Sequence, residues 1–189
     1  MRKFFLVFTL VLFVSVSTNA QAGKMSITPN VTLAIPLGDF GDGANMGFGA
    51  TATFMYRVIP QLDLTGSLGY LRWGYKEFDG SFSSIPLLFG ARYYFTNGTV
   101  MPYAGAELGL HFASASIKLP TYTLFGETYG GGTESTSETD FGVGFGGGAL
   151  IQVAPNFLLD ATLQFNIIAT SGSSSNYLSL EVGASFGIN

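Results

Sequence analysis

Six side chains that can carry charge recur at one parity of segments whose residues alternate between apolar and polar: Asp63, Arg92, Glu107, His111, Asp160 and Glu181. Carboxylates facing a guanidinium suit ion pairing, because arginine presents a planar fork of donors that matches a carboxylate. Counted from the nearest tight turns, Asp63, Arg92, Glu107 and Asp160 fall at similar depth, and Glu181 and His111 lie higher. The segment bearing Arg92 is flanked by those bearing Asp63 and Glu107, which predicts an Arg92–Glu107 pair, extended to Asp63, as a polar plug. A buried charge without a partner would be costly. Such a cluster is either a satisfied structural network or a gate on an ion path, and the structural network is the default.

Other chemistry finds less support. His111 is the only histidine, and an acyl-transfer site would need a serine beside it on the same face. The residue two positions on is Ala113, and Ser114 has the opposite parity, so a lone polar histidine is expected. Asp39 and Asp42, set among Gly38, Gly41 and Gly43, lack the alternating ligands and closing glutamate of a calcium loop and read as turn residues. Gly130-Gly131-Gly132 has no Lys-Ser/Thr behind it and is not a phosphate cradle. It opens a low-complexity stretch to Asp140 that includes Glu134 and Glu138, expected to be a mobile acidic loop. No catalytic residue, cofactor or metal site is expected.

The chain that must position these groups has 189 residues, 47% hydrophobic, 15% aromatic and only 11% charged, with 26 glycines and no cysteine. Those proportions exclude a disordered chain, a coiled coil and a disulfide-stapled miniprotein. Eight Lys plus Arg and a net charge of −4 leave no basic face for nucleic acid. Arg2 and Lys3, an apolar run from Phe4 to Val14 and the tripeptide Ala20-Gln21-Ala22 have the pattern of a secretory signal peptide, residues 1–22, with cleavage expected after Ala22. No later apolar run approaches the roughly 18 residues of a spanning helix, so membrane entry would have to use strands.

Strand patterning is what the rest of the chain shows. Eight segments, 25–35, 46–56, 62–70, 85–95, 104–112, 141–153, 157–167 and 178–188, alternate with period two, and each keeps its apolar set on one parity. The apolar faces carry no Asp, Glu, Lys or Arg, and the opposite faces are mostly Gly, Ser and Thr with the six ionisable groups. A soluble lipid-binding barrel would need the reverse, with charge outside. A small polar face fits the inside of a narrow barrel, and an uncharged apolar face fits lipid, where a charge near the midplane costs about 2–4 kcal/mol. Open edges cannot persist in hydrocarbon, so the sheet must close. The connections at 57–61, 96–100 and 154–156 are short, with Asn97-Gly98 a hairpin signal and Pro60 and Pro155 as breakers; those at 36–45, 76–83, 114–138 and 170–176 are longer. Short periplasmic turns, long external loops and periplasmic termini are therefore expected. Tyr56, Tyr70, Trp73, Tyr75, Tyr93, Tyr103, Phe157 and Tyr177 gather near strand ends, as interfacial girdles would. The expected fold is an all-β, eight-stranded antiparallel up-and-down transmembrane β-barrel over residues 23–189.

In detail the chain resembles the small outer-membrane β-barrel proteins of Gram-negative bacteria, of the OmpX, OmpW and OmpA transmembrane-domain type. The resemblance rests on Pro36-Leu37-Gly38-Asp39-Phe40, Gly47-Phe48-Gly49 and Met101-Pro102-Tyr103-Ala104-Gly105. It implies an outer-membrane location, contact with outer-membrane lipid, assembly by the barrel-assembly machinery, a monomer, and no enzymatic activity. Two departures are that the chain ends Phe186-Gly187-Ile188-Asn189, displacing the terminal aromatic, and that no peptidoglycan-binding domain follows. Three roles stay open: a structural or surface-interaction barrel with a plugged interior, a narrow channel for small or hydrophobic solutes as in OmpW, and adhesion or partner binding through residues 114–138.

Overall fold

The computed structural model describes residues 25–188 apart from 78, 120, 125, 126, 155, 156 and 171, with side chains described outside 122–130. The expected leader at 1–22 and the turn residues Pro155 and Asn156 lie outside the described residues. In chain order the elements are β1 (Met25–Leu37), α1 (Asp39–Gly43), β2 (Gly47–Ile59), β3 (Leu62–Gly74), β4 (Gly80–Tyr94), β5 (Val100–Lys118), β6 (Thr121–Leu124), β7 (Glu127–Gly130), β8 (Thr133–Ala154), β9 (Phe157–Thr170) and β10 (Ser173–Ile188). Eight strands form a closed barrel in the order β1-β10-β9-β8-β5-β4-β3-β2, and β6 and β7 make a separate two-stranded hairpin. All pairings are antiparallel, and β1 closes the ring on β10 from Met25↔Ile188 to Leu37↔Asn176.

Closure turns the period-two pattern into two surfaces. Val31, Phe48, Leu68, Phe89, Leu108, Phe145 and Val182 point outward and are exposed, whereas Asp63, Arg92, His111 and Asp160 are buried in the lumen. Among the described residues of the barrel strands no acidic side chain occupies an outward position; the outward cations are Arg72 and Lys118, both near the end that carries the longer connections. This loop end is opposite the short-turn end, where β2–β3 and β4–β5 turn.

Several strands run past the segments expected for them. β2 continues to Ile59 with a bulge after Arg57, so Arg57 is a strand residue rather than part of the expected 57–61 turn. β9 and β10 extend into the expected 170–176 loop, pairing Thr170 with Ser173. The largest revision concerns 114–138: β5 and β8 stay in register from Ser114↔Ser137 to Lys118↔Thr133, so the expected mobile acidic stretch is, from Thr133, a paired strand. Both of its faces are polar, which hides the hydrophobic alternation by which a strand is ordinarily recognised.

Glycines make the narrow bore possible. A Cβ on inward Gly146 would run into the Leu163 carbonyl oxygen and come within 2.7 Å of Gln164 Cα, both backbone atoms of β9. The β8–β9 ladder could accept that atom only by opening, consistent with glycine marking tight curvature in a sheet. Gly146→Val is therefore expected to abolish the compact, heat-modifiable form on gel electrophoresis. Outward Gly66, whose Cβ would sit 3.7 Å from the Phe89 ring, should accept alanine within about 0.5 kcal/mol. Normal heat-modifiable migration of the Gly146 variant would contradict this reading.

Candidate functional site

The lumen is filled in three layers. At the short-turn end two ion pairs sit among aromatic rings. Arg57 of β2 binds Asp63 of β3 through two parallel bonds, Nε to Oδ1 at 2.8 Å and Nη2 to Oδ2 at 2.9 Å, and its guanidinium lies 5.0 Å from the Tyr94 ring centroid. Arg92 of β4 reaches across the lumen to β9, where Nη1 donates to Asp160 Oδ2 at 2.5 Å. The same guanidinium lies 4.7 Å from the Tyr103 ring centroid. Tyr103 donates to the other carboxylate oxygen of Asp160 at 2.6 Å, leaving its own lone pair for the Thr162 hydroxyl at 2.5 Å. The Met55 sulfur accepts weakly from Arg92 and Tyr94, and Tyr94 packs edge-on against Tyr103 with centroids 5.5 Å apart. Asp160 is 0% exposed, so its charge is tolerable only because a cation and a phenol both bind it.

The middle layer is polar and nearly full. Glu107 accepts from Thr65 at 2.8 Å and Ser67 at 2.9 Å, and Glu181 accepts from Thr51 at 3.0 Å. Asn166 donates to Ser179 at 3.0 Å. Between these groups lies a cavity of about 20 Å³ bordered by Glu107, Glu181, Arg92 and Asn166. A second, of about 10 Å³, adjoins Tyr103 and Gln164. Volumes of this size hold roughly one water each.

Aromatic rings close the loop end. Trp73 is 0% exposed and donates its indole N–H to the Ala34 carbonyl at 3.2 Å. Around it stand Tyr177 at 5.4 Å and Phe40 and Phe82 at 5.5 Å between centroids, with Leu71, Ile168, Ala34 and Ala44 filling the rest. Phe40 enters from α1, which folds over the barrel mouth and is tied down by Lys76 Nζ donating to the Gly41 carbonyl. Gly47 lies flat against this indole, and a Cβ there would stand 2.5 Å from Trp73 Cδ1.

All six residues singled out by parity face the lumen, but their partnerships differ from expectation. Arg92 pairs with Asp160 and not with Glu107; Asp63, although directly opposite Arg92 in the β3–β4 register, pairs with Arg57. Register neighbours lie side by side on the wall, whereas a long side chain spans the bore, so the nearest carboxylate in the sheet is not the one it reaches. Trp73, Tyr103 and Tyr177 are interior groups rather than girdle residues, leaving Tyr56, Tyr70 and Tyr93 exposed outside. Parity carries the missing signal, since Trp73 shares it with Asp63, Tyr103 with Glu107 and Tyr177 with Glu181. Arg57 likewise continues the inward set of β2.

His111 is not alone. Its Nδ1 lies 3.2 Å from the Ser84 hydroxyl, two register positions away on β4. Ser84 is 0% and His111 1% exposed, which closes the pair to any substrate carbonyl. Asp140 lies opposite His111 on β8, yet no ion pair to the histidine forms among the described residues. The arrangement acts as a buried hydrogen bond, and no group of three or more metal-ligating side chains occurs among the described residues.

Removing the guanidinium would leave Asp160 charged and buried. Arg92→Ala is expected to lower unfolding stability in detergent or bilayers by about 3–5 kcal/mol. Adding Asp160→Asn should recover part of that loss, as expected for a coupled pair. Urea or guanidinium titrations followed by tryptophan fluorescence would measure it, and unchanged stability in Arg92→Ala would contradict the plug.

Residues 4–186 match the family model described as outer membrane protein beta-barrel domain. Among solved structures the chain is similar to neisserial surface protein A, with TM-score 0.62 and 24% identity over 87% of this chain and 97% of that one. It is similar to Ail, the attachment invasion locus protein of Yersinia pestis, with TM-score 0.57 and 22% identity over 88% and 100%. A major outer membrane protein from Thermus thermophilus aligns with TM-score 0.58 and 14% identity over 86% and 98%. No curated protein sequence matches the chain. The closed eight-stranded ring, the uncharged outer band and the match along nearly the whole sequence agree: this chain belongs to the outer membrane protein beta-barrel domain family.

Proposed function

We propose that this protein is a sealed outer-membrane barrel whose role is structural or surface-interacting rather than one of transport. The observation that carries this reading is the filling of the lumen at three levels, from the Arg92–Asp160 pair through the Glu107 and Glu181 layer to the Trp73 cluster, with cavities of about 20 and 10 Å³ between them. A solute path would need a continuous bore, and moving these groups aside would unpair a buried charge at one end and expose an aromatic cluster at the other.

In this reading the short turns and both termini lie on the periplasmic side, and the loop end faces outward. What the barrel holds out there is the β5–β8 extension, which carries the β6–β7 hairpin beyond the band of exposed aromatic and aliphatic residues. A closed barrel is a rigid mount, since every strand in it is paired on both edges within the apolar band.

Planar-bilayer recording of the purified, folded protein tests the seal. Wild type is expected to give no reproducible current steps, and a variant lacking both ends of the plug, Arg92→Ala with Phe40→Ala and Trp73→Ala, should conduct. Regular steps from wild type would overturn the sealed reading in favour of a narrow channel.

A further inference from the structure

The barrel closes on a seam with a gap in it. Between β1 and β10 the register passes from Ile27↔Phe186 to Asn30↔Gly183 with no pairing between them, whereas the other edge of β1 meets β2 without interruption through Thr28↔Thr53, Pro29↔Ala52 and Asn30↔Thr51. Proline carries no N–H, so within a strand it removes one ladder bond. With the β2 side complete, the missing donor faces β10, where Ala184 stands opposite Pro29 and its carbonyl receives no bond from β1. In an open sheet such a proline sits on an edge, where water serves the free carbonyl. A closed barrel has no edge, and Pro29 is exposed on the lipid-facing side between Ile27 and Val31.

The lumen side of the same stretch is incomplete as well. Thr28 Oγ1 and Asn30 Oδ1, on the two residues that flank Pro29, are buried without a hydrogen-bond partner. Among the described residues one other buried side-chain atom shares that state, Asn176 Oδ1, and it belongs to the loop end of the same seam, where Asn176 pairs with Leu37. Thr28 is 0% and Asn30 4% exposed, and a Cβ on Gly183 would run into Asn30 Oδ1 and the Pro29 carbonyl oxygen, so β10 lies close against β1 here. Neither lumen cavity borders Thr28 or Asn30.

We propose that the wall opens sideways at this point while the barrel stays folded: residues 27–30 of β1 part from residues 183–186 of β10, β1 stays on β2, and water entering the gap bonds the Ala184 carbonyl, Thr28 and Asn30. Groups left without partners raise the free energy of the closed wall and not of the open one, so this seam needs less to open than its neighbours. Proline alone does not make such a place. Pro86 interrupts the β3–β4 register in the same way, between Leu68↔Leu87 and Leu71↔Ser84, but it borders the cavity of about 20 Å³, where roughly one water fits, and no orphaned side chain accompanies it. The Arg92–Asp160 pair and the Trp73 cluster need not move for β1 to part from β10, so this conformational device acts across the wall and is separate from the axial seal.

Amide hydrogen exchange of the folded barrel in nanodiscs, read residue by residue by NMR, tests the opening. Alternation along β10 sends the Ala184 N–H to β1 and the N–H groups of Gly183 and Ser185 to β9, so neighbouring residues of one strand report on two different seams. Corrected for intrinsic rates, the Ala184 amide should exchange at least tenfold faster than those of Gly183 and Ser185. Pro29→Ala supplies the missing donor and should slow Ala184 at least tenfold while changing Gly183 and Ser185 less than threefold. Pro86→Ala should leave Ala184 unchanged. Should Pro29→Ala fail to fold, Thr28→Val, which removes an orphaned hydroxyl with little change of shape, should slow Ala184 at least threefold. Equal exchange of the three amides in wild type, no effect of Pro29→Ala on Ala184 in a folded barrel, or a slowing of all three amides by the same factor would overturn the proposal.

Discussion

Hydrocarbon offers no hydrogen-bond partner to a peptide group, and everything else in this molecule depends on that. The ring must close, and β1 accordingly meets β10 along both strands. Closing with eight strands leaves a bore that side chains fill, and the inner wall is built from residues small enough to allow it. Gly90, Gly109 and Gly146, inward on β4, β5 and β8, each stand where a Cβ would meet a neighbouring strand's carbonyl. The outer wall has no such restriction and carries large apolar groups. One solvent thus determines both the lack of acidic groups on the outward face of the described strands and the small residues of the inner wall.

Within the bore, the groups that are not small have to satisfy one another. Arg92 and Asp160 lie 68 residues apart in sequence, and Tyr103, itself bonded to Thr162, takes up the carboxylate oxygen that the guanidinium leaves. Arg57 and Asp63 form a second closed pair beside them. Glu107 and Glu181 have no cation beside them and take hydroxyl donors instead, from Thr65 and Ser67 and from Thr51 respectively. The aromatic layer above uses area rather than charge, with the indole N–H of Trp73 placed on a backbone carbonyl. Ion-paired seal, hydroxyl-lined middle and apolar cap are three solutions to one problem of filling a narrow tube.

Parity was legible in the sequence because lipid leaves no latitude: an outward Asp63 or Asp160 would be intolerable, so the face of each strand residue follows from its neighbours. The partner of each residue was not. Whether Arg92 meets Glu107 on the adjacent strand or Asp160 across the bore depends on strand stagger and barrel width, which no local pattern records. Arg57 was hidden because the tight turn was expected to begin at it, although Val58 carries the outward apolar set on toward the Pro60 break. Thr133–Thr139 was hidden for a different reason, since a strand polar on both faces has no hydrophobic signature and exists here because Ser114–Lys118 pairs with it. Sequence patterning therefore located the wall and assigned its faces, and the pairings within the lumen and the reach of the β5–β8 extension emerged only with the register.

A sealed barrel requires that the middle of the lumen be cut off from both ends. The chain has no cysteine, so a single near-isosteric Ser67→Cys, beside Glu107 in the middle layer, reports on access without background. In the folded barrel this thiol should resist small charged thiol reagents from either side of a bilayer and react only after unfolding. Rapid modification in the folded state, from either face, would show an open path and contradict the seal.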